Sequence, residues 1–205
     1  MTENSTDYSC DLELIEERLK NIESLLFTLQ SNAPYLELEP FEAGEEGLPI
    51  ENTGLENFID GLGLRYFRGR ELTPYWSRTC GSIRNSAPPQ SLWNNLGRTL
   101  KVLDRLRDEI GHPIRITSSY RDPDYNASSC VGGEPNSQHS AGKALDFVAA
   151  GGTPDQWGAK LKSYRGQTFT LPGVGSFVFR GGVGIYRSRN FVHLDTRGTD
   201  ADWFG

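Results

Sequence analysis

The sequence contains little of what membrane proteins and disulfide-rich proteins need. No apolar run approaches the roughly 20 residues that span a bilayer, which excludes a membrane-spanning helix. The three cysteines, Cys10, Cys80 and Cys130, are far apart and form no Cys-x-x-Cys pair. This spacing predicts free thiols and argues against both a disulfide framework and a thiolate metal site.

Positive charge is also scarce. The 205 residues carry 21 Lys and Arg against 27 Asp and Glu, which gives a net charge of -6. This balance disfavours a general nucleic-acid binder, which needs a basic surface. The N-terminus has no basic start and no apolar core, so we expect no signal peptide. The expected localisation is therefore cytoplasmic synthesis, with release by lysis or by a non-classical route.

Residues 1–32 are predicted to contain a helix over residues 11–30. Its apolar residues step by threes and fours, as in a heptad repeat. Two interpretations remain open: an oligomeric coiled coil, or a helix docked on its own domain with an apolar face widened by Leu14, Leu25 and Phe27. The heptad positions are Leu12, Ile15, Leu19, Ile22, Leu26 and Leu29.

The rest of the chain divides into a linker and a domain. Residues 33–60 are acidic and contain several prolines and glycines, which predicts a linker. Residues 61–205 carry a helical pattern that ends at Gly111, a second one near residues 155–164, and several short strand-like segments. We therefore predict an α+β domain, a small antiparallel sheet with flanking helices. The strand signals are PIRITSSY, KALDFVAA, SFVFRGGVGIY and NFVHLDTRG.

Two of the three histidines stand near aspartates in strand-like segments. His139 precedes Asp146 by seven residues, and His193 precedes Asp195 by two. If the two strands are neighbours, alternation brings Asp146, His193 and Asp195 together, and His139 arrives from a Gly-rich loop. Two imidazoles and one carboxylate with an open position describe a catalytic zinc site, although each spacing alone is a weak pattern. The third histidine, His112, is predicted to be a turn residue.

A non-haem Fe(II) oxygenase is a competing interpretation, because its metal site also uses two histidines and one carboxylate. His193 and Asp195 fit the His-x-Asp start of that pattern. The oxygenases place the distal histidine after this pair, however, whereas His139 precedes it. The order of the residues therefore argues against an oxygenase.

Several blocks between Ile114 and Trp203 resemble the zinc D-Ala-D-Ala carboxypeptidase family, which has the Hedgehog/DD-peptidase fold. Within that family they are most similar to the carboxypeptidase-like peptidoglycan peptidases of bacteria and phages. A weaker match, YFRGREL, covers Tyr66–Leu72. The blocks are SSYRDPDYN, VGGEPNSQHSAGKALDF, GGVGIY, NFVHLDTRG and DW.

The resemblance implies roles for individual residues. His139, Asp146 and His193 would hold zinc. Arg121 would face the site and stabilise an oxyanion or hold a substrate carboxylate, unless it forms a salt bridge with Asp122 or Asp124 instead. Some members of the matched blocks are expected to shape loops or support the site, namely Ser119, Asn126, Ser137 and Gln138.

Contacts to substrate are expected from Arg121, Ser137, Tyr186 and Trp203. Trp157 is a further candidate to line the groove. For Tyr186, Trp203 and Trp157, packing in the core is the alternative role. Three further residues of the matched blocks, Gly181, Gly182 and Gly184, are expected to serve backbone turns.

At the position of the general base, this sequence departs from the pattern of a related branch of the family. The vancomycin-resistance branch places a glutamate three residues before the last histidine, and Asn190 occupies that position here. Asp195, on the same strand face as His193, is therefore the expected base. The alternative is that Asp195 orients a metal ligand.

The function implied by the resemblance is zinc-dependent hydrolysis of a peptide bond in bacterial peptidoglycan, of the D,D-carboxypeptidase or endopeptidase type. The protein would act at the cell wall on a stem peptide or cross-bridge. The alternative is a non-catalytic peptidoglycan-binding or assembly protein with the same fold, for which the heptads over residues 11–30 would provide a homo-oligomer.

Overall fold

A computed structural model describes residues 53–205 of the chain. The predicted heptad helix and residues 33–52 of the predicted linker lie outside these residues. Helix α1 (Thr53–Asp60) lies inside the region predicted to be linker. Its Leu55 and Ile59, one turn apart on the same face, are both buried in the core. The domain therefore begins before the predicted boundary at residue 61.

The segment after α1 is irregular and leads to a short hairpin. Two 3₁₀ turns, Gly69–Glu71 and Thr73–Tyr75, precede strands β1 (Thr79–Cys80) and β2 (Ile83–Arg84), which pair with each other. A third 3₁₀ turn, Gln90–Leu92, leads into the main helix.

Helix α2 (Trp93–Ile110) is the long helix predicted by the helical pattern that ends at Gly111. Leu96, Leu100, Leu103 and Leu106 are fully buried along one face, as expected for an amphipathic helix packed on a core. Gly111 ends it with a φ of 67°, a left-handed conformation that glycine adopts without steric cost.

Two shorter helices follow. Helix α3 (Pro123–Ala127) begins after Asp122, whose carboxylate accepts a hydrogen bond from the Asp124 amide. Helix α4 (Pro154–Ser163) lies where the second helical pattern was predicted. Within residues 53–205, no helix is long and apolar enough to cross a membrane.

The central sheet has five strands in the order β3-β4-β8-β7-β9. Strands β5 and β6 pair separately as a hairpin. The strands are β3 (Ile114–Ser118), β4 (Ala144–Ala149), β5 (Thr168–Leu171), β6 (Gly175–Val178), β7 (Gly182–Tyr186), β8 (Phe191–Asp195) and β9 (Ala201–Phe204).

The α+β class is confirmed, with one correction to the sheet. Strand β9 pairs with β7 in parallel, so the sheet is mixed rather than wholly antiparallel. Both edges of β8 are already taken by β4 and β7. The chain therefore reverses after β8 and pairs with the free edge of β7, whose direction it then shares.

The two faces of the sheet have different tasks. Leu145 on β4 is paired with Leu194 on β8, and both are fully buried in the core. The same register pairs Asp146 with His193. Because alternate residues of a strand point to opposite faces, Asp146 and His193 lie together on the face away from the core.

Cys80 and Cys130 form a disulfide, with an S–S distance of 2.01 Å. The prediction of free thiols is therefore wrong for these two residues. Fifty positions separate them in the sequence, and they meet because α3 packs against β2. The spacing of the cysteines in the sequence does not predict this tertiary contact.

Candidate metal centre and active-site cleft

Three side chains converge on one point of the sheet. The Nε2 atom of His139 lies 3.2 Å from the Nδ1 atom of His193 and 3.2 Å from the Oδ1 atom of Asp146. Nδ1 of His193 lies 2.9 Å from the same Oδ1. Each residue thus offers one ligand atom to a shared centre. All three are buried, with exposed fractions between 3% and 8%.

The fold explains how residues 54 positions apart meet. Strand pairing fixes Asp146 beside His193. His139 arrives on the loop before β4, whose turn is closed by a hydrogen bond from the Gly142 amide to the His139 carbonyl. Gly142 has a φ of 65° and lies against Leu92. A side chain there would be strained and crowded, so glycine lets the loop pass close to Leu92, directly before α2.

In each imidazole, the outer nitrogen, which faces away from the cluster, donates a hydrogen bond, and the inner nitrogen faces the cluster. Nδ1 of His139 donates to the carbonyl of Ser119 at 2.6 Å. Nε2 of His193 donates to Oδ2 of Asp195 at 3.1 Å. A neutral imidazole carries only one N–H, so the inner nitrogens keep their lone pairs. This is how metal-ligating histidines are held in proteins, and the donor set fits a divalent zinc ion.

The protonation equilibria agree with a cation site. Burial lowers the pKa of His139, which favours the neutral ligand form. Burial opposes ionisation of Asp146, but the adjacent histidines outweigh it and hold the pKa of that carboxyl well below its usual value. Burial also opposes a charge on His193, yet hydrogen bonds to Asp146 and Asp195 raise its pKa. Protons and metal ions therefore compete for the Nδ1 atom of His193.

Arg121 faces the same centre, as the resemblance implies. Its Nη2 atom donates to Oδ2 of Asp146 at 2.7 Å and lies 3.3 Å from Nε2 of His139. Its Nε atom donates to the Ser118 hydroxyl. The alternative salt bridge to Asp122 or Asp124 does not form. The guanidinium thus borders the ligand atoms and still reaches the cleft.

Asp195 lies behind His193 rather than beside the open side of the cluster. Its exposed fraction is 0%, and it accepts hydrogen bonds from His193, from the guanidinium of Arg197 and from the backbone amide of Gly182. These contacts hold its pKa well below the usual value despite burial, which opposes ionisation. The arrangement is that of a carboxylate that orients a histidine, which sequence analysis left as the alternative to a general base.

An aromatic wall extends from His193 across strands β9, β7 and β8. It consists of Trp203, Tyr186 and Phe191. The Trp203 ring lies 5.1 Å from the His193 ring, and its Nε1 atom donates to the Tyr186 hydroxyl at 2.9 Å. Tyr186 stacks on Phe191 at 4.3 Å. Tyr186 and Trp203 therefore line the cleft, whereas Trp157 is buried and packs against Phe147.

The predicted glycine turns need a correction. Gly182 and Gly184 lie within strand β7, and neither they nor Gly181 have the positive φ of a tight turn. Their role is close approach. A Cβ atom on Gly184 would overlap the Trp203 indole, and one on Gly182 would overlap Asp195. The missing side chains make room for the aromatic wall and for the carboxylate behind His193.

The cleft around the cluster has a volume of about 730 Å³. Ser137 and Gln138 line it on the loop before His139. Ser119 contributes the carbonyl that binds His139. Asn126 shapes the same loop, because its side chain donates to the Glu134 carbonyl and its own carbonyl accepts from Gly133. His112 lies in a turn and lines no part of this cleft.

Two features of the site were not predicted from the sequence. Arg197, two residues after Asp195, holds that carboxylate through two nitrogens. The HLDTRG block contains it, but an arginine near an aspartate is too common to indicate the contact. The second feature is the Cys80–Cys130 disulfide, since Cys130 also lines the cleft.

Comparison with known proteins gives a family. No curated protein and no solved structure matches the chain. A family model described as Peptidase M15 matches residues 65–195, more than half of the chain and all three residues of the cluster. The resemblance seen in the sequence blocks is thus confirmed, and the chain belongs to the Peptidase M15 family.

Proposed function

We propose that the protein is a zinc-dependent peptidase that hydrolyses a peptide bond in bacterial peptidoglycan. Its membership of a peptidase family supports the reaction class. The observation that carries the zinc assignment is the pair of imidazoles whose outer nitrogens are both bonded to acceptors, with both inner nitrogens directed at one carboxylate oxygen.

His139, Asp146 and His193 would hold the ion. With three protein ligands and a free position, zinc supplies a Lewis acid that activates water for attack on the peptide carbonyl. The aromatic wall would border the bound peptide, and Ser137 would contact it from the opposite loop. Whether the bond is of the D,D-carboxypeptidase or the endopeptidase type is decided by the shape of this cleft.

Arg121 would stabilise the negative charge that develops on the carbonyl oxygen. Its guanidinium remains charged at every pH of interest and is anchored by Asp146 and Ser118. A donor already held in place needs little reorganisation during the reaction, which is why such groups lower barriers.

Asp195, in this proposal, orients His193 rather than accepting the proton of the attacking water. All its hydrogen-bond partners lie within the protein, and it has no exposed surface. Replacing a carboxylate that holds a metal-binding histidine typically lowers metal affinity by about 10- to 100-fold.

The Asp195→Asn variant separates the two roles. We expect its zinc affinity to fall by about 10- to 100-fold, with hydrolysis recovering as free zinc is raised. Zinc dissociation constants from competition with a chromogenic chelator, and rates across a zinc titration, provide the readout. A general base predicts the reverse pattern: unchanged zinc affinity, with hydrolysis still lost at saturating zinc.

The function itself is tested by mass spectrometry of muropeptides after digestion of purified peptidoglycan. The proposal predicts released or shortened peptides, and their loss when a chelator is present and their return when zinc is restored. Binding to peptidoglycan without any change in the muropeptides would instead identify a non-catalytic binding or assembly protein.

A further inference from the structure

Two of the arginines that line the cleft have no acidic partner in the part of the chain that the structure describes. Arg121 is paired with Asp146, and Arg197 with Asp195. Neither Arg78 nor Arg189 forms an ion pair with any of residues 53–205. The charged residues lining the cleft, apart from the histidines, are Arg78, Arg121, Arg189, Arg197, Glu134 and Asp146.

Arg189 stands at the end of the aromatic wall that begins beside His193. Its guanidinium lies 4.6 Å from the ring centre of Tyr186 and 5.0 Å from that of Phe191. Such stacking restrains a side chain while leaving its N–H groups free to donate. Arg187, in the same turn, differs because its Nε and Nη2 atoms both donate to Asp155. Arg189 is thus the arginine of this turn that is available to a ligand.

Arg78 occupies a similar position at the other end of the cleft. It lies 4.5 Å over the ring of Tyr75 and contacts the Thr117 carbonyl on β3. Strand β3 is one edge of the sheet, and β7 lies beyond the metal cluster on the other side. The two unpaired guanidiniums therefore flank the cluster, each supported by an aromatic ring.

The net charge of residues 53–205 also favours the binding of anionic ligands. Thirteen of the 27 acidic residues lie in residues 1–52, so residues 53–205 contain 19 Lys and Arg but only 14 Asp and Glu. A cleft lined with unpaired positive charge raises the local concentration of anionic ligands.

We propose that the cleft selects a peptide that carries carboxylates on both sides of the bond to be cut, with Arg189 binding one carboxylate and Arg78 the other. This inference rests on the proposed peptidase function and specifies its substrate as an anionic peptide. A guanidinium donates two parallel hydrogen bonds to a carboxylate, and a neutral carboxamide lacks the charge that makes this contact strong.

Two synthetic stem pentapeptides test this proposal: one with free carboxylates on its diaminopimelyl residue and at its C-terminus, which lie on either side of the terminal D-Ala–D-Ala bond, and the same peptide with carboxamides at both positions. Charge-assisted hydrogen bonds predict a kcat/KM about tenfold higher for the acid peptide, mainly through KM. Arg189→Gln and Arg78→Gln should each lower this preference to about threefold, because the other carboxylate contact remains, and should leave the amide peptide within about twofold of wild type. Arg187→Gln is the matched control and should keep the preference.

Equal rates for the two peptides in the wild type, or an equal loss for both in the variants, would overturn the proposal. Dissociation constants from isothermal titration calorimetry of the chelator-treated full chain test the carboxylate contacts independently of the peptidase function. Tighter binding of the acid peptide without hydrolysis supports the carboxylate contacts and contradicts the peptidase. Absence of binding preference overturns the contacts, whatever the hydrolysis.

Discussion

Alanine at His193 should leave the purified protein without bound zinc and without hydrolytic activity. The wild type should carry about one zinc ion per chain, held by three protein ligands. Removing one imidazole leaves two ligand atoms and breaks the contact with Asp195. We expect zinc content near zero after gel filtration, and a loss of activity of roughly a thousandfold or more. Elemental analysis and muropeptide release measure the two effects.

His112→Ala is the matched control for that experiment, because His112 is exposed and lies in a turn outside the cluster. It should retain zinc and activity. Asp146→Asn guards against a loss of folding, since it keeps the shape of the ligand side chain and removes its charge. Both His193→Ala and Asp146→Asn should be folded by circular dichroism. Zinc content equal to that of His112→Ala in either variant contradicts the assignment of ligands.

Loss of the Cys80–Cys130 disulfide should lower the free energy of unfolding by about 2–4 kcal/mol. The bridge joins residues 50 positions apart, and the loop-closure entropy of such a loop corresponds to about 4 kcal/mol. The double variant Cys80→Ser/Cys130→Ser should therefore unfold at lower urea concentration. Because Cys130 lines the cleft, its hydrolytic activity should fall as well.

Reduction of the wild type provides a second route to the same state. Dithiothreitol should shift the urea midpoint of the wild type and of Cys10→Ser, which keeps both cysteines of the bridge, but should not shift that of the double variant. A wild type with the same midpoint with and without the reductant would show that the bridge contributes nothing to stability.

The convergence of Asp146, His193 and Asp195 could be predicted because it depends on short-range rules, whereas the choice of His139, Asp146 and His193 as ligands came from the family resemblance. Alternation along a strand places His193 and Asp195 on one face. Asp146 lies among apolar residues of its strand and therefore needs a partner for its charge. One assumption remained, that the two strands are neighbours, and the pairing of Asp146 with His193 supplies it. The helix α2 followed equally from its leucine stripe and from Gly111.

Other features depend on tertiary contacts that leave little trace in the sequence. Both oxygens of Asp195 are engaged by Arg197, and this contact favours an orienting role over a base. Local alternation places Asp195 on the correct face but does not reveal its burial. Glycines in GGVG are typical of turns, whereas here Gly184 makes room for a tryptophan 19 residues away.

An anomalous-difference map at the zinc edge, from crystals of the zinc-loaded protein, tests the metal centre most directly. We expect one peak, at roughly 2.0–2.2 Å from Nε2 of His139, Nδ1 of His193 and Oδ1 of Asp146. A zinc ion bound instead through Nε2 of His193 and Asp195, or no peak at this cluster, would contradict this prediction.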